Sequence, residues 1–279
     1  MSAMRRKWKR TAMPALALLV LAGVSLATAG CARDTVTRED VERIDDSFRR
    51  GSSRLAETTA FMGCLERFDF ENAAFLQDVR AGIEAGRTAC AELRASMDEL
   101  LTLAYPGELE ELGRVVEEYA SAMGEAVGEL EVVYGGLEEI LLALEPILRE
   151  EASVTQLEAP RSDVEFMGRL QRLDAALAES LSSLERLAPP PLLREYRDYF
   201  EQLLGVLGKL VDDLIAVTQG LIPNVDVEHN PDFLLFQQLL STYPSLVEGL
   251  SSKLKVAGID PLMERVELEI NRLYLENSG

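Results

Sequence analysis

From Pro106 to Arg149 the apolar positions fall into two series, each stepping by seven residues. The first runs Leu109, Val116, Met123, Leu130, Leu137, Leu144, and the second Leu112, Tyr119, Ala126, Val133, Ile140, Ile147. All twelve positions are apolar, and acids such as Glu110, Glu111, Glu117, Glu118, Glu138 and Glu139 crowd between them. Sustained paired series of this kind mark helices packed in coiled-coil fashion. About forty helical residues at 1.5 Å each predict a rod of roughly 60 Å. A second segment follows Pro189-Pro190-Pro191. There Leu193, Phe200, Leu207, Leu214 and Leu221 form one series, and Tyr196, Leu203, Leu210 and Val217 the other. All nine are apolar, which makes this a second segment of the coiled-coil kind.

The two segments read as copies. A shift of 84 residues, twelve heptads, aligns 93–137 with 177–221 at fifteen identities in forty-five. Pro106 superposes on Pro190, Gly124 on Gly208 and Gly136 on Gly220. A proline opens the following helix more readily than it interrupts one, so each copy predicts a helix, a proline-marked break, then a second helix. Phe166, Leu170, Leu173, Leu177, Leu184 and Leu187 keep three-four spacing in the preceding helix of the second copy. Two such units predict an all-α fold, an elongated antiparallel helical bundle with coiled-coil-like heptads and a duplicated helix-Pro-helix unit.

Flanking elements complete the expected layout. Thr37-Arg38-Glu39-Asp40 has the form of a helix cap with acids in the first turn, which predicts a helix from about 38 into the 60s. Residues 150–162 lose the periodicity around Pro160 and predict a linker; 223–231, between Pro223 and Pro231, predict a loop. Two closing helices are expected, around 232–256 and 260–276, with Gly258 and Pro261 at their joint. Residues 37–279 therefore read as one helical domain, with repeat units at about 72–149 and 162–222 and the C-terminal helices within 232–276.

The N-terminus has a different character. Arg5, Arg6, Lys7, Lys9 and Arg10 precede an uncharged stretch from Thr11 to Gly30, apolar from Ala15 to Ala27. A basic cluster, a short apolar core and small residues at its end form an export signal. The small residues lead into Ala27-Thr28-Ala29-Gly30-Cys31. This segment resembles the signal of bacterial prolipoproteins; Ala29, Gly30 and Cys31 match that pattern, and Thr28 departs from its usual leucine. The resemblance implies cleavage between Gly30 and Cys31, with thioether-linked acyl chains on Cys31, and residues 31–36 as a lipidated tether. It also implies an address in the cell envelope, on the outer membrane if there are two membranes. An ordinary cleaved signal and an uncleaved anchor are the competing readings, since twenty uncharged residues just reach the length of a span.

Charge sharpens this division. The chain carries a net −20; residues 1–30 hold five bases and no acid, which leaves −25 on the rest. A body this acidic is not expected to bind nucleic acid, because phosphate contacts need clustered lysine and arginine.

Candidate chemistry is sparse. Cys64 and Cys90 remain after Cys31, and exported chains commonly bond such a pair. A disulfide between them or two buried free thiols are the two possibilities. Asn224, Asp226, Glu228, Asn230 and Asp232 alternate around His229, the only histidine. A calcium loop counted from Asp226 would place Gln237 at the position of the bidentate acid and Pro231 at that of the glycine, so the pattern fails. No Glu-x-x-His pair and no Gly-x-Ser-x-Gly elbow occur. No cofactor, metal or catalytic residue is expected, and the protein is read as non-catalytic. The leading expectation is a membrane-anchored lipoprotein that acts as a structural, interaction or accessory protein of the envelope through a protein partner. The alternative is a carrier or sensor that binds a small apolar ligand between helices. Ala120, Met123, Gly124 and Gly128 on the first long helix offer either room for such a ligand or a face for close helix packing.

Overall fold

The computed structural model describes residues 37–68, 74–155, 162–222 and 229–276. The signal segment, Cys31 and the tether to residue 36 lie outside the described residues. So do residues 156–161 of the expected linker, into which helix continues through Thr155, and 223–228 of the expected loop. Thr37–Gly279 form one compact unit. The described part is all-α: α1 Arg38–Ser52, α2 Ala60–Leu65, α3 Phe75–Thr102, α4 Glu110–Thr155, α5 Asp163–Arg186, α6 Arg194–Thr218, α7 Pro231–Lys253 and α8 Asp260–Glu276. No strand occurs among the described residues. Nor, within them, is any helix long and apolar enough to cross a membrane.

Helix α4 is the centre of the bundle. All twelve residues of the two heptad series, eleven on α4 and Leu109 in the turn before it, are buried, none more than 2% exposed. Its 46 residues correspond to about 69 Å at 1.5 Å per residue, too long for one neighbour to cover. It packs against α3, α5 and α8. Three ion pairs fix the register with α3: Arg80–Glu145 at 2.9 Å, Arg87–Glu138 at 2.6 Å and Arg94–Glu131 at 2.5 Å. The arginines step forward by seven as the glutamates step back by seven, so the helices run antiparallel. This is the flanking charge pattern of a heptad seam. Helices α6 and α7 are antiparallel by the same test, with Tyr196 against Tyr243 and Lys209 against Asp232. On α4 and α8, Glu118 meets Arg265 while Glu125 meets Lys255 just before α8.

Both copies of the repeat turn in the same way. Helices α3 and α5 end in an extended leucine, Leu103 at ψ 148° and Leu187 at ψ 138°. A 3-10 turn opened by Pro106 or Pro190 follows, Gly107–Leu109 in one copy and Pro191–Leu193 in the other. Each of these bounds differs from its counterpart by 84 residues, the shift found in the sequence. The junction between α7 and α8 repeats the form without the proline, with extended Leu254 followed by the 3-10 turn Lys255–Gly258.

The copies part at one glycine. Gly136 lies inside α4, where a β-carbon would fall 2.6 Å from Pro190 and 2.8 Å from Leu193; the glycine admits the second copy's turn. Its counterpart Gly220 adopts φ +71° and ends α6, with Leu221 N donating to Ala216 O at 2.9 Å. That is the left-handed helix stop that favours glycine.

One expectation needs correction. The first helix does not continue into the 60s. It stops at Ser52, a 3-10 turn occupies Leu55–Thr59, and α2 is a separate short helix. Serines at 52 and 53 return hydroxyls to the carbonyls of Arg49 and Arg50, which competes with helix continuation. Its start is as expected: Thr37 and Asp40 form a reciprocal capping box. The seam of α6 is covered along part of its length. Leu193, Tyr196, Phe200 and Leu203 are buried, Leu207, Leu210 and Val217 are half-buried, and Leu214 and Leu221 are exposed. The seam begins as core and ends in the open, where the described residues bring α5 and α7 beside it.

Leu130 and Leu214 occupy the same repeat position but are 0% and 40% exposed. Leu130→Ala is therefore expected to cost about 2–5 kcal/mol, and Leu214→Ala less than about 1 kcal/mol. Denaturant unfolding of the two variants checks this.

Candidate functional site

The open end of the α6 seam forms one wall of an apolar groove of about 320 Å³. Helix α5 contributes Leu170 and Leu173 to it. Helix α6 contributes Leu207, Leu210, Val211 and Leu214, and α7 contributes Phe233 and Phe236. The groove is open on one side, and the exposed apolar side chains Leu221, Ile222 and Leu234 lie on the segments that frame it. For scale, a dry cavity of about 150 Å³ takes up benzene.

Among the described residues of this lining two are polar, Asp213 and Asn230. Asn230 is fixed by its work as the cap of α7. Its Oδ1 accepts from the backbone N–H of Asp232 at 2.8 Å and of Phe233 at 3.1 Å, with Pro231 in the first helical turn. The oxygen being committed, the amide NH₂ faces the other way and donates to Asp213 Oδ2 at 3.3 Å. Lys209, one turn before Asp213, pairs instead with Asp232 at 3.6 Å. Asp213 is thus a carboxylate beside an apolar wall, held by one long hydrogen bond from a neutral donor.

The structure separates the sequence-predicted candidates. Cys64 and Cys90 are both free thiols and make no disulfide. Cys90 on α3 is buried and lies 3.6 Å from Tyr134 Oη. Tyr134 donates its own proton to Thr58 O, so the thiol is the donor to Tyr134. Gly86 makes room for this cluster: a β-carbon there would sit 2.5 Å from the phenol oxygen. Burial pushes the Cys90 thiol up and the Tyr134 phenol well above its ordinary value. Cys64 on α2 is half-exposed and takes a hydrogen bond from Arg67 Nη2 at 3.5 Å.

Of the loop acids, Asn224, Asp226 and Glu228 lie outside the described residues. Asn230 and Asp232 are engaged as above. Among the described residues no three His, Cys, Asp or Glu side chains are grouped to hold a metal. The small-residue face of α4 is not a close helix contact: a β-carbon on Gly124 or Gly128 would meet nothing within 4 Å. A smaller recess of about 240 Å³ lies there instead, bordered by Arg94 and Asp98 as well as by Met123. Asp213 and Asn230 did not stand out in the sequence as a pair. The visible signals were an acid just before a seam leucine and Asn-Pro at a helix start.

Comparison with known proteins adds no assignment. The chain matches no family model, no curated protein and no solved structure.

The cysteine geometry has a direct consequence. A maleimide applied to the folded body is expected to modify Cys64 and to reach Cys90 only after denaturation, as read by peptide mass spectrometry; protection of both thiols from alkylation until a reductant is added would contradict it.

Proposed function

We propose that the protein is a non-catalytic, lipid-anchored protein of the bacterial cell envelope whose helical body binds a small apolar ligand, as a carrier or sensor. The pattern from Arg5 to Cys31 supports the anchor, through its likeness to prolipoprotein signals. Two or three acyl chains on Cys31 would hold a soluble body firmly, since each buried CH₂ contributes about 0.8 kcal/mol. One observation favours ligand binding over a purely structural role: the 320 Å³ groove, apolar on three helices with two polar groups at its wall. That is the usual make-up of a small-molecule site. The surface elsewhere is laced with exposed Arg–Glu pairs such as Arg87–Glu138 and Arg114–Glu118, which set register and solubility more than they supply chemistry.

The second reading is an accessory or structural protein that engages a protein partner. It draws on Leu214, exposed in the groove lining, and on Leu221, Ile222 and Leu234, exposed on the chain segments that adjoin it in sequence. Exposed apolar side chains gathered at one place mark interaction surfaces.

Two measurements test the proposal. Cys31→Ser is expected to abolish incorporation of a radioactive fatty acid and to release the protein from the membrane fraction; unchanged labelling, or a mature chain that keeps residues 5–30, would sink the anchor. Organic extraction of the tagged chain purified from its native envelope is expected to yield a stoichiometric apolar compound, and the Leu214→Arg variant none. A groove that yields no such compound in either protein favours the protein-partner reading.

A further inference from the structure

We propose that the groove between α5, α6 and α7 binds one single-chain amphiphile whose ammonium head pairs with Asp213. This rests on the carrier reading and names the ligand class. The geometry divides the site into two parts. The leucine, valine and phenylalanine part of the lining, among the described residues, offers no hydrogen-bonding side chain, so a hydrocarbon chain gains by lying there. The wall carries one carboxylate, whose single side-chain partner is the Asn230 amide at 3.3 Å. A carboxylate is an acceptor only and has room for several donors. The hydrogen bond that would satisfy it best is a charge-assisted one, shorter and about twice as strong as a neutral one. Beside apolar walls such a pair is strengthened further.

Three alternatives fit less well. A fatty acid would bring a second carboxylate against Asp213. It would also approach a body that carries −25 outside its first thirty residues, a field that attracts cations and repels anions. A long-chain alcohol could donate to Asp213 but would leave its charge unpaired. A partner's amphipathic helix needs a long trough, whereas this groove holds about 320 Å³. The cation nearest in sequence does not fill the role, because Lys209 is paired with Asp232.

The test uses the full chain in its own membrane and three photoactivatable probes with the same dodecyl chain, an amine, an alcohol and a carboxylate. The amine is expected to label peptides that contain residues 170–173, 207–214 and 233–236, saturably and with displacement by dodecylamine. Asp213→Asn keeps the shape of the side chain and is expected to weaken amine labelling about tenfold or more, while alcohol labelling stays within about twofold. Leu214→Arg, at a position already 40% exposed, is expected to abolish labelling by all three, with an unchanged helical circular dichroism spectrum. Equal amine and alcohol labelling, or indifference to Asp213→Asn, overturns the ammonium assignment and leaves the carrier reading standing. Absence of saturable groove labelling by any probe overturns both, as does a groove found cross-linked to another protein chain in its place.

Discussion

The constraint on which the rest of the body depends is the length of the α4 seam. Twelve apolar side chains at heptad spacing must leave water, and they extend along most of a helix of 46 residues. A single antiparallel partner covers one side of such a seam. The remaining side has to be closed by other helices, so α5 and α8 are drawn in beside α3. The apolar seam makes packing favourable without choosing among registers one heptad apart. The Arg80, Arg87 and Arg94 ladder against Glu145, Glu138 and Glu131 supplies that choice. These pairs are partly exposed and contribute little stability each. A slip by one heptad would nevertheless leave one arginine and one glutamate of the ladder without their partners.

Duplication then explains why a groove exists at all. The second copy inherited the turn at Pro190 and the seam of α6, but its surroundings differ. Its buried half meets an aromatic cluster in which Tyr196, Tyr199, Phe200 and Tyr243 stack at ring separations of 5.1–6.2 Å. Its other half has, among the described residues of the groove lining, α5 and α7 beside it. Where the first copy packs Leu130, Val133 and Leu137 out of water, the second leaves Leu214, Val217 and Leu221 half-covered or bare. The groove is the stretch of a heptad seam that the described helices leave partly open.

This shows what was legible in the sequence. The twelve positions of α4, the Thr37 cap and the 84-residue repeat are local or periodic signals, and they translate directly into buried faces and matching turns. The uncovered end of α6 was not legible, because its heptads are as regular as those of α4. Periodicity identifies which face of a helix is apolar; whether that face is covered depends on what the rest of the chain brings to it. The cysteines were illegible for a related reason. Their state follows from how α2 lies against α3, and a 3-10 turn that the sequence did not announce decides that. The turn also delivers the Thr58 carbonyl to Tyr134, which occupies the surroundings of Cys90.

The charge found at the outset also takes on a more specific role. Acids on the outer heptad positions keep long helices apart in solution and away from anionic surfaces, and nearly all of those with ion partners meet an arginine or lysine on the surface. Asp213 differs because its neighbours are leucines, phenylalanines and a capping asparagine. An open apolar seam is a liability for self-association, and a carboxylate set into its wall counters that, since closing two copies over it would bury two like charges without partners. The same carboxylate narrows what is able to close the seam in their place. A neutral hydrocarbon strands the charge and an anion opposes it, whereas a chain with a cationic end covers the leucines and satisfies Asp213 together.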